Sequence, residues 1–204
     1  MRYNKHMKLY TLNQEELDAF QRIYSYAIEK HEATGCKYSG YNYDLHVKAT
    51  VNVAKQYLHL IENNNRAYVL CATAMHDLME DCRVNYNEIN DMMRTVSTYS
   101  DLKQPIAFVE GFVADIVYNV TNELGRNRKE RAMKTYPKIA SCRYSTFVKL
   151  CDRIANMKFS YYINDEKGMF KKYKDEYSEF YKNLYNADHG FDEMWKELQA
   201  LCLH

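Results

Sequence analysis

Apolar residues recur along most of this chain at steps of three and four, the period of helices that bury one face. Asn13 with Glu16 has the form of a capping box and opens a helix whose stripe runs Leu17, Phe20, Ile23, Tyr24 and Ile28. Gly35 and Gly40 break the pattern, so 33–40 reads as a loop. A second helix is expected from Tyr43 to Ile61, with His46 at its buried end above Ala49, Val53, Tyr57 and Leu60. Asn63-Asn64-Asn65 marks a turn before a central helix from Arg66 to Asp81. Asn85 and Glu88 restart a short helix through Ile89 and Met93, a polar segment spans 97–104, and Pro105 fits the first turn of a helix through Phe108, Phe112, Ile116 and Val120. Helical patterns over 141–161, 168–186 and 188–202 complete the chain. Phe170, Tyr173, Tyr177, Phe180 and Tyr181 read as packing stripes of a C-terminal cover.

With only 6 Gly and 2 Pro and no sustained alternation of apolar and polar residues, the fold class is all-α, a bundle of roughly eight to ten helices. A length of 204 residues supports one domain over 1–204, with 161–204 as the cover. The formal net charge of +1 gives no global basic field, so no bulk nucleic-acid binding is expected. Arg126, Arg128, Lys129, Arg131, Lys134 and Lys138 form a local basic stretch, either a solvated helix face or an arm that meets phosphates. The 6 Cys residues include no Cys-x-x-Cys pair and lie largely on apolar helical faces, as free thiols do in a reducing compartment. No charged-then-apolar leader and no bilayer-length apolar run is present, so the expectation is a cytoplasmic protein without a membrane partner; a homo-oligomer is left open.

Chemistry concentrates in the central helix. At roughly 100° per residue, His76, Asp77, Glu80 and Asp81 share a wedge of about 140°, opposite the apolar Cys71, Met75, Leu78 and Cys82. Three carboxylates beside one imidazole need a compensating charge, and a divalent cation is the simplest candidate. His46 upstream and Asp152 downstream lie on two further helical patterns, and Asp152 shares a face with Asn156. Two imidazoles and two carboxylates suit Mn²⁺, Fe²⁺ or Zn²⁺, and a chain without paired thiols shows no structural zinc motif. Four such ligands leave positions for water and a phosphate oxygen, the requirement for metal-assisted phosphoester or pyrophosphate hydrolysis. His31 reads as packing, and His59 and His189 as ordinary surface or core residues.

The order His46, His76-Asp77, Asp152 resembles the signature of the HD superfamily of metal-dependent phosphohydrolases. Within it, Lys37-Tyr38-Ser39-Gly40-Tyr41-Asn42-Tyr43-Asp44-Leu45-His46, His76-Asp77-Leu78-Met79-Glu80-Asp81 and Val148-Lys149-Leu150-Cys151-Asp152-Arg153-Ile154-Ala155-Asn156-Met157 resemble three consecutive elements of RelA/SpoT hydrolase domains, spanning about residues 25–160. The resemblance implies a stand-alone small alarmone hydrolase. Such an enzyme would have a helical fold, a Mn²⁺ ion, and a reaction that removes the 3′-pyrophosphate of guanosine tetra- and pentaphosphate. By position, His46, His76, Asp77 and Asp152 would hold the metal, and Glu80 and Asp81 would orient or deprotonate water. Lys37, Ser39 and Asn156 would meet the nucleotide, while Lys149 and Arg153 are candidates for phosphate or ribose contacts. Lys37 stands where the family has Arg and Asn42 where it has Pro. Lysine lacks the planar guanidinium that stacks on a base, so an adenosine alarmone or another pyrophosphorylated nucleotide is also a candidate substrate. The other readings are an HD-type nucleotidase and a binding module that sequesters a nucleotide or a toxic synthetase.

Overall fold

The computed structural model describes residues 12–99, 111–163, 165 and 168–203. Its first helix, α1 (Gln14–Thr34), begins where Asn13 Oδ1 accepts from the Glu16 N–H at 2.9 Å and Glu16 Oε2 accepts from the Asn13 N–H at 2.8 Å. It ends at Gly35, whose φ of 69° suits a residue without a Cβ. The segment read as a loop contains a small hairpin, β1 (Lys37–Tyr38) paired antiparallel with β2 (Tyr41–Asn42). Ser39 and Gly40 turn it with φ of 49° and 88°, the double positive φ of a two-residue hairpin loop.

Next comes α2 (Asp44–Gln56), shorter than the 43–61 expected because the chain tightens into a 3₁₀ turn over Leu58–Leu60. After a second such turn at Asn63–Asn65 come α3 (Arg66–Met75), α4 (Leu78–Asp81) and α5 (Tyr86–Tyr99). The Asn85–Glu88 pair caps α5 as expected, but the helix runs on into the segment read as polar and irregular. The helix start at Pro105 lies outside the described residues; α6 (Phe112–Val120) follows Gly111. The remaining helices are α7 (Arg128–Ala140), α8 (Arg143–Tyr162), α9 (Met169–Leu184) and α10 (Asp192–Leu203). Ten helices, one a single turn, and no strand beyond the hairpin among the described residues make this the all-α bundle expected. None of these helices is long and apolar enough to cross a membrane.

The core is built around α3, which packs against α1, α2, α6 and α8. Ala67 and every residue from Val69 to Met75 are buried, so α3 has no solvent face, and its small side chains let four neighbours approach. A one-sided stripe at Cys71 and Met75 therefore understates this helix. At the C-terminal end α9 and α10 lie against α8. Phe170, Tyr173 and Phe180 of the expected stripe are buried together with Phe191 and Trp195, whereas Tyr181 is exposed and stacks on Tyr185. Removing Phe180 from this layer should cost about 3–5 kcal/mol.

Candidate metal centre and its cavity

The central helix does not run unbroken from 66 to 81. It stops after Met75, passes through His76 and Asp77 as a turn, and resumes at Leu78. His76 Nδ1 lies 2.9 Å from the Thr73 carbonyl, the acceptor that the Asp77 N–H would claim in a continuous helix. An imidazole thus replaces a rung of the helical ladder, which interrupts the helix at the residue pair that carries its chemistry. His76 and Asp77 therefore stand in a turn ahead of Glu80 and Asp81 rather than with them on one unbroken helix, while the Asp81 N–H still reaches the Asp77 carbonyl at 2.9 Å.

Beside the break, side chains from three elements converge. His46 Nε2 and His76 Nε2 are 3.2 Å apart. Asp77 Oδ2 lies 3.2 Å from the first and 2.9 Å from the second, and Asp152 Oδ1 lies 3.5 and 3.8 Å from them. His46, His76 and Asp77 form a group able to hold a metal ion, and Asp152 adjoins it. The donor set fits a divalent cation on chemical grounds. The His76 Nδ1–Thr73 contact turns Nε2 inward, and such a partner on the far nitrogen is the usual means of orienting a ligating histidine. Buried His46 has no partner on Nδ1.

The charges are mutually adjusted. Burial opposes a charge on His76, but Asp77 and Asp152 outweigh it and raise its pKa from the ordinary 6.5 to about 10. Burial likewise works against ionised Asp77, yet His76 and hydrogen bonds from His46 and His76 hold it well below the usual carboxylate range. Asp152 is lowered too, where Lys149 and His76 overcome its desolvation; Lys149 Nζ is 2.9 Å from its Oδ2. Without a metal, an imidazolium therefore occupies the electrostatic role that a cation would take. Asp81 behaves differently: burial, then repulsion from Asp77, raises its pKa, as befits a group that exchanges protons. Tyr43 donates to Asp77 Oδ2 at 2.6 Å, with Asp81 close by; burial and these two acids push its own pKa far up, so it stays a donor.

Tyr43, His46, Asp77, Asp81 and Asp152 line a cavity of about 250 Å³, whereas His76 is buried beside it. Glu80 reaches its rim, where Asn122 Nδ2 donates to Glu80 Oε2 at 2.9 Å. Lys149, Arg153 and Asn156 line it as well, though each is engaged. Arg153 pairs with Glu176 at 3.1 Å and lies over the rings of Tyr173 and Phe180. Asn156 donates to Asp152 and accepts from the Tyr38 hydroxyl at 2.7 Å, so it also positions a ligand. Lys37 and Ser39 are not in the lining; Lys37 Nζ turns to Asn42 Oδ1 at 2.7 Å, and the residue between them, Tyr38, faces the cavity and stacks on His46 at 4.7 Å. Much of the basic stretch is ion-paired: Arg126 and Lys134 with Glu130, Lys138 with Glu123, and Arg128 with Glu176. Arg128 and Arg131 nevertheless line the cavity, and Arg131 has no carboxylate partner among the described residues.

No family model matches the chain, and no curated protein matches it. The site is accordingly read from its own geometry. Sequence reasoning passed over Tyr38, Tyr43, Asn122 and Tyr173 as site residues. Tyr38 and Tyr43 stand inside the segment that carries His46, whereas Asn122 and Tyr173 come from distant helix ends that no local pattern marks. The C-terminal cover thus supplies Tyr173 and Glu176 to the cavity as well as packing.

Proposed function

We propose that this chain is a metal-dependent phosphohydrolase that removes the 3′-pyrophosphate of a pyrophosphorylated nucleotide, guanosine tetra- or pentaphosphate or an adenosine analogue, releasing pyrophosphate and the nucleoside di- or triphosphate. The observation that carries the reading is the convergence of two imidazoles and two carboxylates, with His46, Asp77 and Asp152 in the lining of a cavity that also presents Arg128, Arg131, Lys149 and Arg153. The resemblance of the three motif segments to RelA/SpoT hydrolase domains agrees with it and favours Mn²⁺.

His46, His76, Asp77 and Asp152 would hold the ion. When bound it supplies an acidified water and neutralises phosphoryl charge. The chain's own residues do the rest. Tyr43 and Lys149 hold Asp77 and Asp152 in place from behind. Asp81, with its raised pKa, accepts the proton of the attacking water, and Glu80, fixed by Asn122, orients it. Arg131 and Arg128 meet the departing pyrophosphate. Because Lys37 lies outside the lining, the base is the part of the substrate least constrained here, which keeps adenosine and guanosine nucleotides together in the proposal.

The test is pyrophosphate release from guanosine and adenosine 3′-pyrophosphorylated nucleotides by Mn²⁺-loaded protein, beside a His76→Ala, Asp77→Ala double variant. Release that the double variant lacks is the expected result. Cleavage of ordinary nucleotides alone would replace the proposal with a general nucleotidase, and binding without cleavage would replace it with a sequestering module.

A further inference from the structure

A second group of metal-binding side chains lies behind the first. His31 from the last turn of α1, Cys36 at the root of the hairpin and Cys82 at the end of α4 have donor atoms within 4.8 Å of one another. His31 is buried, at 1% exposure, and the nitrogen it turns to the thiols is Nδ1, 3.2 Å from Cys82 Sγ. Its Nε2 has no partner. Thr34 Oγ1, whose hydroxyl reaches the Lys30 and His31 carbonyls at 3.1 Å, lies 3.1 Å from Cys36 Sγ and 3.7 Å from Cys82 Sγ, so the two sulfurs share one polar neighbour. Both cysteines are free and half-buried, so an ion can reach them.

We propose that His31, Cys36 and Cys82 form a second metal site that takes a thiophilic divalent ion of the Zn²⁺ class, with water in the fourth position. The donor set carries the choice of ion: one imidazole and two sulfurs select zinc-like metals, whereas the first cluster offers nitrogen and oxygen only. Size agrees, since Zn–S and Zn–N bonds of about 2.3 and 2.0 Å in a tetrahedron place neighbouring donors about 3.5 Å apart, close to the observed Nδ1–Sγ separation. Charge agrees too. On binding, the two thiols release their protons to solvent, and two thiolates with a neutral imidazole cancel the charge of the ion, leaving no unpaired charge in a half-buried place. Such an ion would add to the contacts that already join these three segments, among them the Cys36 N–H bond to the His31 carbonyl at 3.1 Å and the Cys36 thiol's bond to the Asp81 carbonyl at 3.6 Å. It thereby holds Tyr38, two residues beyond Cys36, and Asp81, next to Cys82, in their places at the first site. No Cys-x-x-Cys spacing marks the trio, because the fold brings its members together from positions 31, 36 and 82.

Co²⁺ is the probe, added to reduced, metal-stripped full-length protein. The expected result is a sulfur-to-cobalt charge-transfer band that survives in the His76→Ala, Asp77→Ala variant and disappears in Cys36→Ser, Cys82→Ser, while Mn²⁺ binding to the serine variant persists. His31→Gln, which keeps both thiols, should weaken the band, and circular dichroism identifies any variant that fails to fold. The proposal is overturned if folded wild-type protein shows no such band although Cys36 and Cys82 react with a thiol reagent. It is equally overturned if the band persists in the double serine variant.

Discussion

Two walls of the cavity are built on opposite terms. On α8, each polar side chain that faces the cavity is held by another: Lys149 and Asn156 grip Asp152, and Glu176 and two aromatic rings grip Arg153. On the hairpin, Lys37 and Ser39 are exposed, the turn carries a strained positive φ at Ser39, and only Tyr38 reaches inward, to Asn156. The wall that would meet metal and phosphate is fixed in advance, as electrostatic chemistry requires, because a group that must reorient gives back much of what it contributes. The hairpin wall contributes one side chain, Tyr38, and leaves Lys37 and Ser39 outside the lining. The difference teaches that the two jobs are separable in this chain, and substitutions can show it.

The largest effect is expected from Asp152→Ala. It removes a proposed ligand and strands half-buried Lys149, so calorimetry should record a stability loss of about 3–5 kcal/mol and metal retention should be abolished. Asp81→Asn should keep metal and fold yet lower kcat by about 10²–10⁴, seen as slow pyrophosphate release at unchanged metal content. Asn156→Ala, which loosens Asp152 and releases Tyr38 at once, should weaken metal affinity about 10–100-fold in a competition titration with a chelator. Lys37→Ala belongs at the other extreme: stability within about 0.5 kcal/mol of wild type and metal affinity unchanged, with any effect confined to the guanosine-to-adenosine ratio. A loss of metal on Lys37→Ala would join the two walls and end the comparison.

Acidity gives an independent handle on the rigid side. The raised pKa of His76 means that its contribution to the stability of metal-free protein is full below 6.5 and disappears as pH rises through about 10. Asp77 and Asp152, held low, contribute above the ordinary carboxylate pKa and lose that contribution only as pH falls well into the acid range. Melting temperatures of stripped protein should therefore fall on the alkaline side. Mn²⁺ should remove that fall, since the ion takes over the charge that His76 surrenders.

Most of the helices could be read from the chain because their signals are local: the Asn13–Glu16 and Asn85–Glu88 caps and the apolar steps of α8 and α9 need no knowledge of neighbours. The segment 66–81 was harder to read. Periodicity cannot show that a histidine will take a carbonyl from its own helix, nor that α3 is enclosed on all sides, because both follow from what packs around it. The site divides in the same way. His46, His76, Asp77 and Asp152 declare themselves through short motifs and Arg128 and Arg131 through the basic stretch, whereas Asn122 and Tyr173 enter the cavity through tertiary packing alone. The hairpin was missed since two-residue strands are too short to show alternation, although Ser39-Gly40 is a fitting pair for its turn.

The single turn of α4 begins next to Asp77 and ends at Cys82, so one rigid piece of backbone abuts both clusters. His31 stacks on Tyr43 at 4.1 Å, and Tyr43 bonds Asp77, a second link between the same two places. Thermodynamic linkage then makes the traffic two-way: whatever factor a ligand at the sulfur end imposes on affinity at the carboxylate end is returned unchanged when the order of binding is reversed. A four-residue helix with no fold of its own is thus the shared beam between the two clusters, the piece through which a load on either end would have to pass.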